Sequence, residues 1–399
     1  MWPAIERCSL LSHSIHPIET RFDGRPGLSL RSKWGQVTVL LGGGHICELR
    51  SHAHPDLNPL WRPLWAGIDP GEYRADQHST TYGPNPDGAL LAGIAGHSLS
   101  FDYFGPPSAE EAAAGLTTHG EAPASQWHLR REFDSGIEYG VLLPIAQIDF
   151  CRILRIDPEQ PVVYCEEIAR SLSSADRPIS WNEHVTIGPP FLACDTTLVD
   201  MPATQSKVIW ATYSDEMELT PDAIFAWPKA PREGGGFHDL RTTPEGRYSR
   251  YTAQLIDPSL IFGYTAISNS VRGLLVLYLF PRSDFPWVGN WEERHSRVFA
   301  PWNGKAFCRG IEFSTTPFAQ PKRDTVSNGP LFGEETYRWL PAKSERRIRF
   351  ATLLLSIPTD FQGVERVSVE QETVRIYERG RARTLSQQID RAFFNGTAA

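Results

Sequence analysis

Short runs in which apolar and polar residues alternate, bounded by Gly, Pro, Asp or Asn, recur from about residue 36 to residue 357 and constrain this chain more than any other feature. Ile148, Phe150, Leu154 and Ile156 alternate with Gln147, Asp149 and Arg155, and Val162-Val163-Tyr164-Cys165 follows the turn residues Asp157-Pro158 and Gln160-Pro161. A period of two sends successive side chains to opposite faces, so each run reads as a half-buried strand. No amphipathic stretch of roughly 10 to 15 residues intervenes, as parallel strands would need for their crossovers, so the neighbours are expected to be antiparallel. Val37 to Leu41, three glycines and His45 to Leu49 form a hairpin pattern. Lys207 to Thr212, Tyr248 to Ile256 and residues 346 to 357 are further strands. Leu274 to Phe280 is continuously apolar, which predicts a central strand covered on both faces.

Few helices are expected. Ser108-Ala109-Glu110-Glu111 has the form of a capping box, leads into three alanines and stops at Gly115, giving a short helix just before Thr117-Thr118-His119-Gly120. Thr384 to Phe394 begins T-x-x-Q and spaces Leu385, Ile389 and Phe393 as a terminal helix would. The stretch from Phe285 to His295 reads as an aromatic, polar loop and Trp302 to Lys305 as a turn. Gly234-Gly235-Gly236 lacks the spacing and context of a dinucleotide fold and reads as a flexible loop. The 32 Gly and 32 Pro are spread as turn punctuation, and 41% hydrophobic residues suffice for a large core. The expectation is an all-β, antiparallel sandwich in a single domain over residues 1–399, its core at about 30–357, with a C-terminal strand and helix extension over 358–399.

A net charge of −8, with no basic cluster interleaved with aromatics, excludes a phosphate-backbone binder, and no nucleic-acid partner is expected. The longest apolar run, Gly273 to Phe280, falls far short of the ~20 residues that span a bilayer. Glu6 and Arg7 interrupt any signal-peptide core. A cytoplasmic protein with no membrane partner, monomeric or homodimeric, is expected. Six cysteines without a C-x-x-C pair read as buried free thiols. His52, His54, His78 and His97 lack zinc spacing, so no metal site and no cofactor are expected. Trp61, Trp65, Tyr73 and Arg74 lie in a loop-rich segment where substrate contact and packing are both open.

Three motifs carry the functional reading: Thr118-His119-Gly120, Trp181-Asn182-Glu183-His184-Val185, and Gly310-Ile311-Glu312-Phe313. In this order, on a β background, they resemble the catalytic set of the galactose mutarotase-like (aldose 1-epimerase) superfamily, over roughly residues 30 to 357. The resemblance implies a β-supersandwich and an isomerase interconverting the anomers of a small-molecule carbohydrate without metal or cofactor. It implies Glu312 as base, His184 as the acid that protonates the ring oxygen, and His119 as the group that polarises it. Asn182 would orient His184 or the sugar. Trp291, among carboxylates and Asn, suits stacking on a sugar face, and Arg74 and Asp239 are further candidates for binding. Asp239 is the nearest counterpart to the family's sugar-binding Asp-His motif, which has no clear match; Phe313 stands where Pro usually follows the Glu. Two other readings stay open: a carbohydrate-binding protein without turnover, and a glycoside-cleaving enzyme, for which Glu183 or Glu292 would be the second carboxylate.

Overall fold

The computed structural model describes residues 14–210 and 218–395. Two large antiparallel sheets, of twelve and eight strands, pack face to face. The centre of the larger runs, strand beside strand, through His97–Asp102, Arg177–Ile187, Phe307–Ser314, Trp287–Arg294 and Tyr248–Ile256. The middle of the smaller runs through Leu274–Pro281, Glu345–Ser356, Val162–Ser171 and Ile148–Ile156. Alternation decides what each strand buries. Trp181, Val185, Ile311 and Phe313 of the larger sheet meet Phe150, Val276, Phe280 and Phe350 of the smaller in one apolar core. Phe280 stacks on Phe313 at 4.8 Å between centroids.

The outer face of the smaller sheet is covered too. Leu275, Leu277, Leu279 and Leu353 pack against Val374, Ile376 and Phe393, supplied by a three-stranded meander (Val364–Glu370, Thr373–Glu378, Thr384–Gln388) and a 3₁₀ turn at Arg391–Asn395. This second cover is why Leu274 to Phe280 carries no charged residue and only one polar group, the Tyr278 hydroxyl. It also corrects the terminal helix expected at Thr384 to Phe394. Residues 384 to 388 pair with Thr373–Glu378 instead, because burial on the sheet outweighs a weak local helical preference.

The loop expected at Phe285 to His295 is likewise a strand, Trp287–Arg294, buried throughout. Its inward-facing Asn290 and Glu292 hide the apolar alternation. They are tolerated there because Arg309 donates to Asn290 at 2.8 Å and Arg250 grips Glu292 at 3.0 and 2.9 Å. The strand expected at Lys207 to Thr212 is Ala203–Val208, and residues 211 and 212 lie outside the described residues, as does Cys8. The other five cysteines are free thiols. The capping box at Ser108 is formed in both directions on the Ala109–Ala113 helix. Residues 52 to 98 contain two short helices, Ala75–Tyr82 and Gly88–Gly93. Among the described residues no helix is long and apolar enough to cross a membrane.

Candidate active site

On the outer face of the larger sheet, loops and short helices lay a separate apolar cluster over Tyr251, Trp291 and Cys308, including Leu90, Leu91, Ile94, Phe104 and Trp302. Between cover and sheet lies a cavity of about 320 Å³ lined by His119, His184, Trp291 and Glu312, among others.

Strand pairing creates the centre of this cavity. His184 lies directly opposite Glu312 in the antiparallel register, and Gly289 lies directly opposite Glu312 on its other side. Residues opposite one another share a face, so an imidazole and a carboxyl far apart in sequence meet. Nε2 of His184 stands 3.3 Å from Oε1 of Glu312, although neither carboxyl oxygen has a hydrogen-bond partner. Gly310, two residues before Glu312 on the same face, makes room for the carboxyl: a Cβ there would fall 2.4 Å from Oε1.

Both groups are nearly sealed, His184 at 5% and Glu312 at 1% exposure. Burial alone pushes the Glu312 carboxyl up to about 8. Burial, aided by nearby positive charge, pulls the His184 imidazole down to about 4. At neutral pH the pair therefore holds a single proton, on the carboxyl side, facing a neutral imidazole. The other ring nitrogen of His184 is occupied by the Thr186 hydroxyl at 3.0 Å.

His119 reaches the same cavity from the loop after the capped helix. Its ring stacks on Phe104 at 5.1 Å and lies 5.4 Å from the His184 ring, centroid to centroid. The backbone is pinned in the left-handed region (φ 67°) by hydrogen bonds to Gly105 and Phe101. Gly120 must follow, since a Cβ there would sit 2.0 Å from the Phe101 carbonyl oxygen. The Gly105 N–H donates to Nδ1 of His119 at 3.1 Å. That bond fixes the neutral tautomer and leaves Nε2–H as a donor.

The other candidates part company here. Trp291 lines the cavity and its ring lies 5.7 Å from that of His184. Asn182 shares the outward face but points its amide at Ser100, 3.4 Å away, and is not in the lining. Arg74 is exposed and donates to the carbonyls of Gly71 and Tyr73 at 2.9 and 2.8 Å. Asp239, on the hairpin strand Phe237–Asp239, is held by Arg241 at 2.5 and 3.0 Å. Neither Arg74 nor Asp239 lines the cavity. Trp61 and Trp65 pack against Trp302, behind the lining. Tyr73 packs in a small buried cluster with Tyr82 and Ala92. Among the described residues no three His, Cys, Asp or Glu side chains gather as a metal site.

Sequence reading passed over Asp87, Arg297 and Tyr251, all in the lining. Asp87 accepts a hydrogen bond from Thr118, the neighbour of His119. Arg297 lies over the rings of Trp291 and Trp302, at 5.2 and 4.9 Å, and pairs with Glu293 at 3.3 Å. The one readable signal was Tyr251, which opposes Trp291 in register once both strands are recognised.

No protein-family model matches the chain, and no curated protein matches it by sequence. Solved structures do match. A galactose mutarotase-like protein from Clostridium acetobutylicum is 12% identical with a TM-score of 0.56, over 86% of this chain and 99% of its own. The chain has the galactose mutarotase-like fold. A candidate aldose 1-epimerase from Klebsiella pneumoniae subsp. pneumoniae superposes with a TM-score of 0.61 at 14% identity, over 84% of this chain and 80% of its own. A galactose mutarotase related enzyme from Lactobacillus acidophilus gives 0.51 at 11%, over 83% and 98%. The superpositions show the fold alone at identities this low, and the roles of individual residues are left to the chemistry of the cavity.

Proposed function

We propose that this protein interconverts the anomers of an aldose, with Glu312 and His184 exchanging protons with the sugar and His119 donating to its ring oxygen. The observation that carries the proposal is the His184–Glu312 pair, 3.3 Å apart on adjacent strands, in one cavity with His119. Ring opening takes the proton from the C1 hydroxyl, breaks the bond between C1 and the ring oxygen, and gives that oxygen a proton. Rotation about C1–C2 and closure on the other aldehyde face yield the other anomer. One base and one acid suffice, and the net proton count does not change. The pair holds one proton. With that proton on His184, the Glu312 carboxylate accepts from the C1 hydroxyl while the imidazolium protonates the ring oxygen, and this arrangement has the same net charge as the resting one. His119, a fixed Nε2–H donor, stabilises charge as it develops on the ring oxygen. Binding and turnover are distinct claims: NMR exchange between anomers should show enhancement over the uncatalysed rate, lost in His184→Asn. Sugar binding without enhancement would favour the binding-protein reading.

The glycoside-cleaving reading receives less support. It needs a second carboxylate beside the scissile bond. Glu183 projects into the space between the sheets, one residue from His184 and so on the opposite face. There it bonds His97 at 2.7 Å and Arg152 at 3.3 Å. Glu292 is clamped by Arg250, also on the inward face. Absence of new reducing ends from an oligosaccharide panel would close that reading.

A further inference from the structure

The walls of the cleft differ from what a bare polyhydroxyl sugar would require. Leu90, Leu91, Ile94, Phe104, Phe299 and Ala319 all contribute to the lining. Most polar side chains there outside the proposed proton-transfer set already have partners in the protein: the Tyr251 hydroxyl donates to the Pro317 carbonyl at 3.0 Å, Thr118 donates to Asp87, and Arg297 pairs with Glu293. A hydroxyl buried against such walls without a partner costs roughly 5- to 150-fold in affinity, whereas each buried methylene gains roughly fourfold, the equivalent of about 0.8 kcal/mol.

Resting on the anomer-exchange reading, we infer that the cleft selects an aldose whose C1 hydroxyl is free but which carries an apolar alkyl or acyl group on another oxygen. The Leu90, Leu91 and Ile94 side of the cavity, presented by the Gly88–Gly93 helix and the residue after it, takes that group. The proton-transfer side takes the C1 end. The ionic alternative, a sugar bearing phosphate or carboxylate on Arg297, is disfavoured because Glu293, fully buried, already pairs with that guanidinium.

The test compares glucose and galactose with their 3-, 4- and 6-O-butyl ethers and their 6-phosphates on the full chain, by NMR anomer exchange and by tryptophan-fluorescence titration. At least one butyl ether should exceed its parent by tenfold or more in kcat/KM and in affinity. Leu91→Asn alters a buried cluster and so lowers the melting temperature, and it should shrink that ratio severalfold when assayed well below its own melting temperature. If the parent sugars or the phosphates are turned over as well as every ether or better, the inference is overturned while anomer exchange stands. If nothing is turned over, the fluorescence arm decides: tighter ether binding sustains the apolar subsite and overturns the enzyme reading, and equal or weaker ether binding overturns the subsite.

Discussion

Replacing Glu312 with Gln should make the protein more stable at neutral and alkaline pH while removing most of its activity. The carboxyl is 1% exposed, has no hydrogen-bond partner, and is held by burial at about 8, against 4.5 for an ordinary Glu. The sign follows from linkage. A raised folded-state value means the unfolded chain releases this proton first, so the group's contribution is intact below about 4.5, falls as pH rises, and levels off above about 8. At 1.36 kcal/mol per tenfold, the whole window is worth about 5 kcal/mol, an order-of-magnitude figure. Gln cannot ionise and so escapes this term. It leaves its own amide buried, at a cost of roughly 1–3 kcal/mol that does not vary with pH. The informative quantity is therefore the difference between the two proteins in urea unfolding free energy at pH 5, 6, 7 and 8. It should climb by about 1.4 kcal/mol per pH unit in favour of the Gln variant. His184 titrates as well, but its contribution largely cancels in the difference. A flat difference would show that Glu312 ionises normally in the folded protein, and the single-proton description of the pair would fall. Anomer exchange by the same variant should drop by ~10² to 10⁴-fold, as loss of a proton-transfer group does.

Once the spontaneous rate is subtracted, kcat/KM should trace a bell over pH, falling below about 4 as His184 takes a second proton and above about 8 as Glu312 loses its own; a monotonic profile would contradict the shared proton. Gly310→Ala places a Cβ 2.4 Å from Oε1 of Glu312, so kcat should fall by at least ~10-fold as the carboxyl is pushed aside, with a melting temperature near that of the parent. Arg152→Met removes the guanidinium that bonds Glu167 at 2.5 Å and Glu183 at 3.3 Å between the sheets. Breaking such a buried cluster should destabilise by roughly 3–5 kcal/mol in urea unfolding, yet leave the rate per folded molecule close to that of the parent.

Much of the sandwich is legible because alternation is a local signal with a geometric meaning. Tyr248 to Ile256 is a strand with the expected bounds, and the strands Ile148–Ile156 and Val162–Ser171 pair as antiparallel neighbours. Legibility fails where the inward face is polar. Asn290 and Glu292 look like loop residues until Arg309 and Arg250, distant in sequence, are seen to meet them. The same rule of two could have been pressed further at the centre of the site. In Asn182-Glu183-His184, a strand must send Glu183 and His184 to opposite faces, so the two could never have served one cleft. Gly310 and Glu312, two apart, must share a face, which gives the Gly-x-Glu spacing a steric purpose that a motif match does not state.

What stayed hidden is the cover of the cleft. His119 could be picked out by its neighbours, but Leu90, Leu91, Phe104 and Arg297 come from short helices and connections whose positions depend on long-range packing, and no period marks them. On the proposed reading, binding selectivity resides in that cover, whereas the pair that exchanges protons resides in the sheet. The register that joins His184 to Glu312 is enforced by cores on both faces of the strands, since a slip of one residue would turn Val185 and Ile311 out of the core and the pair into it. The cover is under no such constraint. If the proposed function holds, substitutions at Leu90, Leu91 or Phe299 should re-shape what the cleft accepts without disturbing where the proton is held, so that one sheet geometry could serve sugars bearing different substituents.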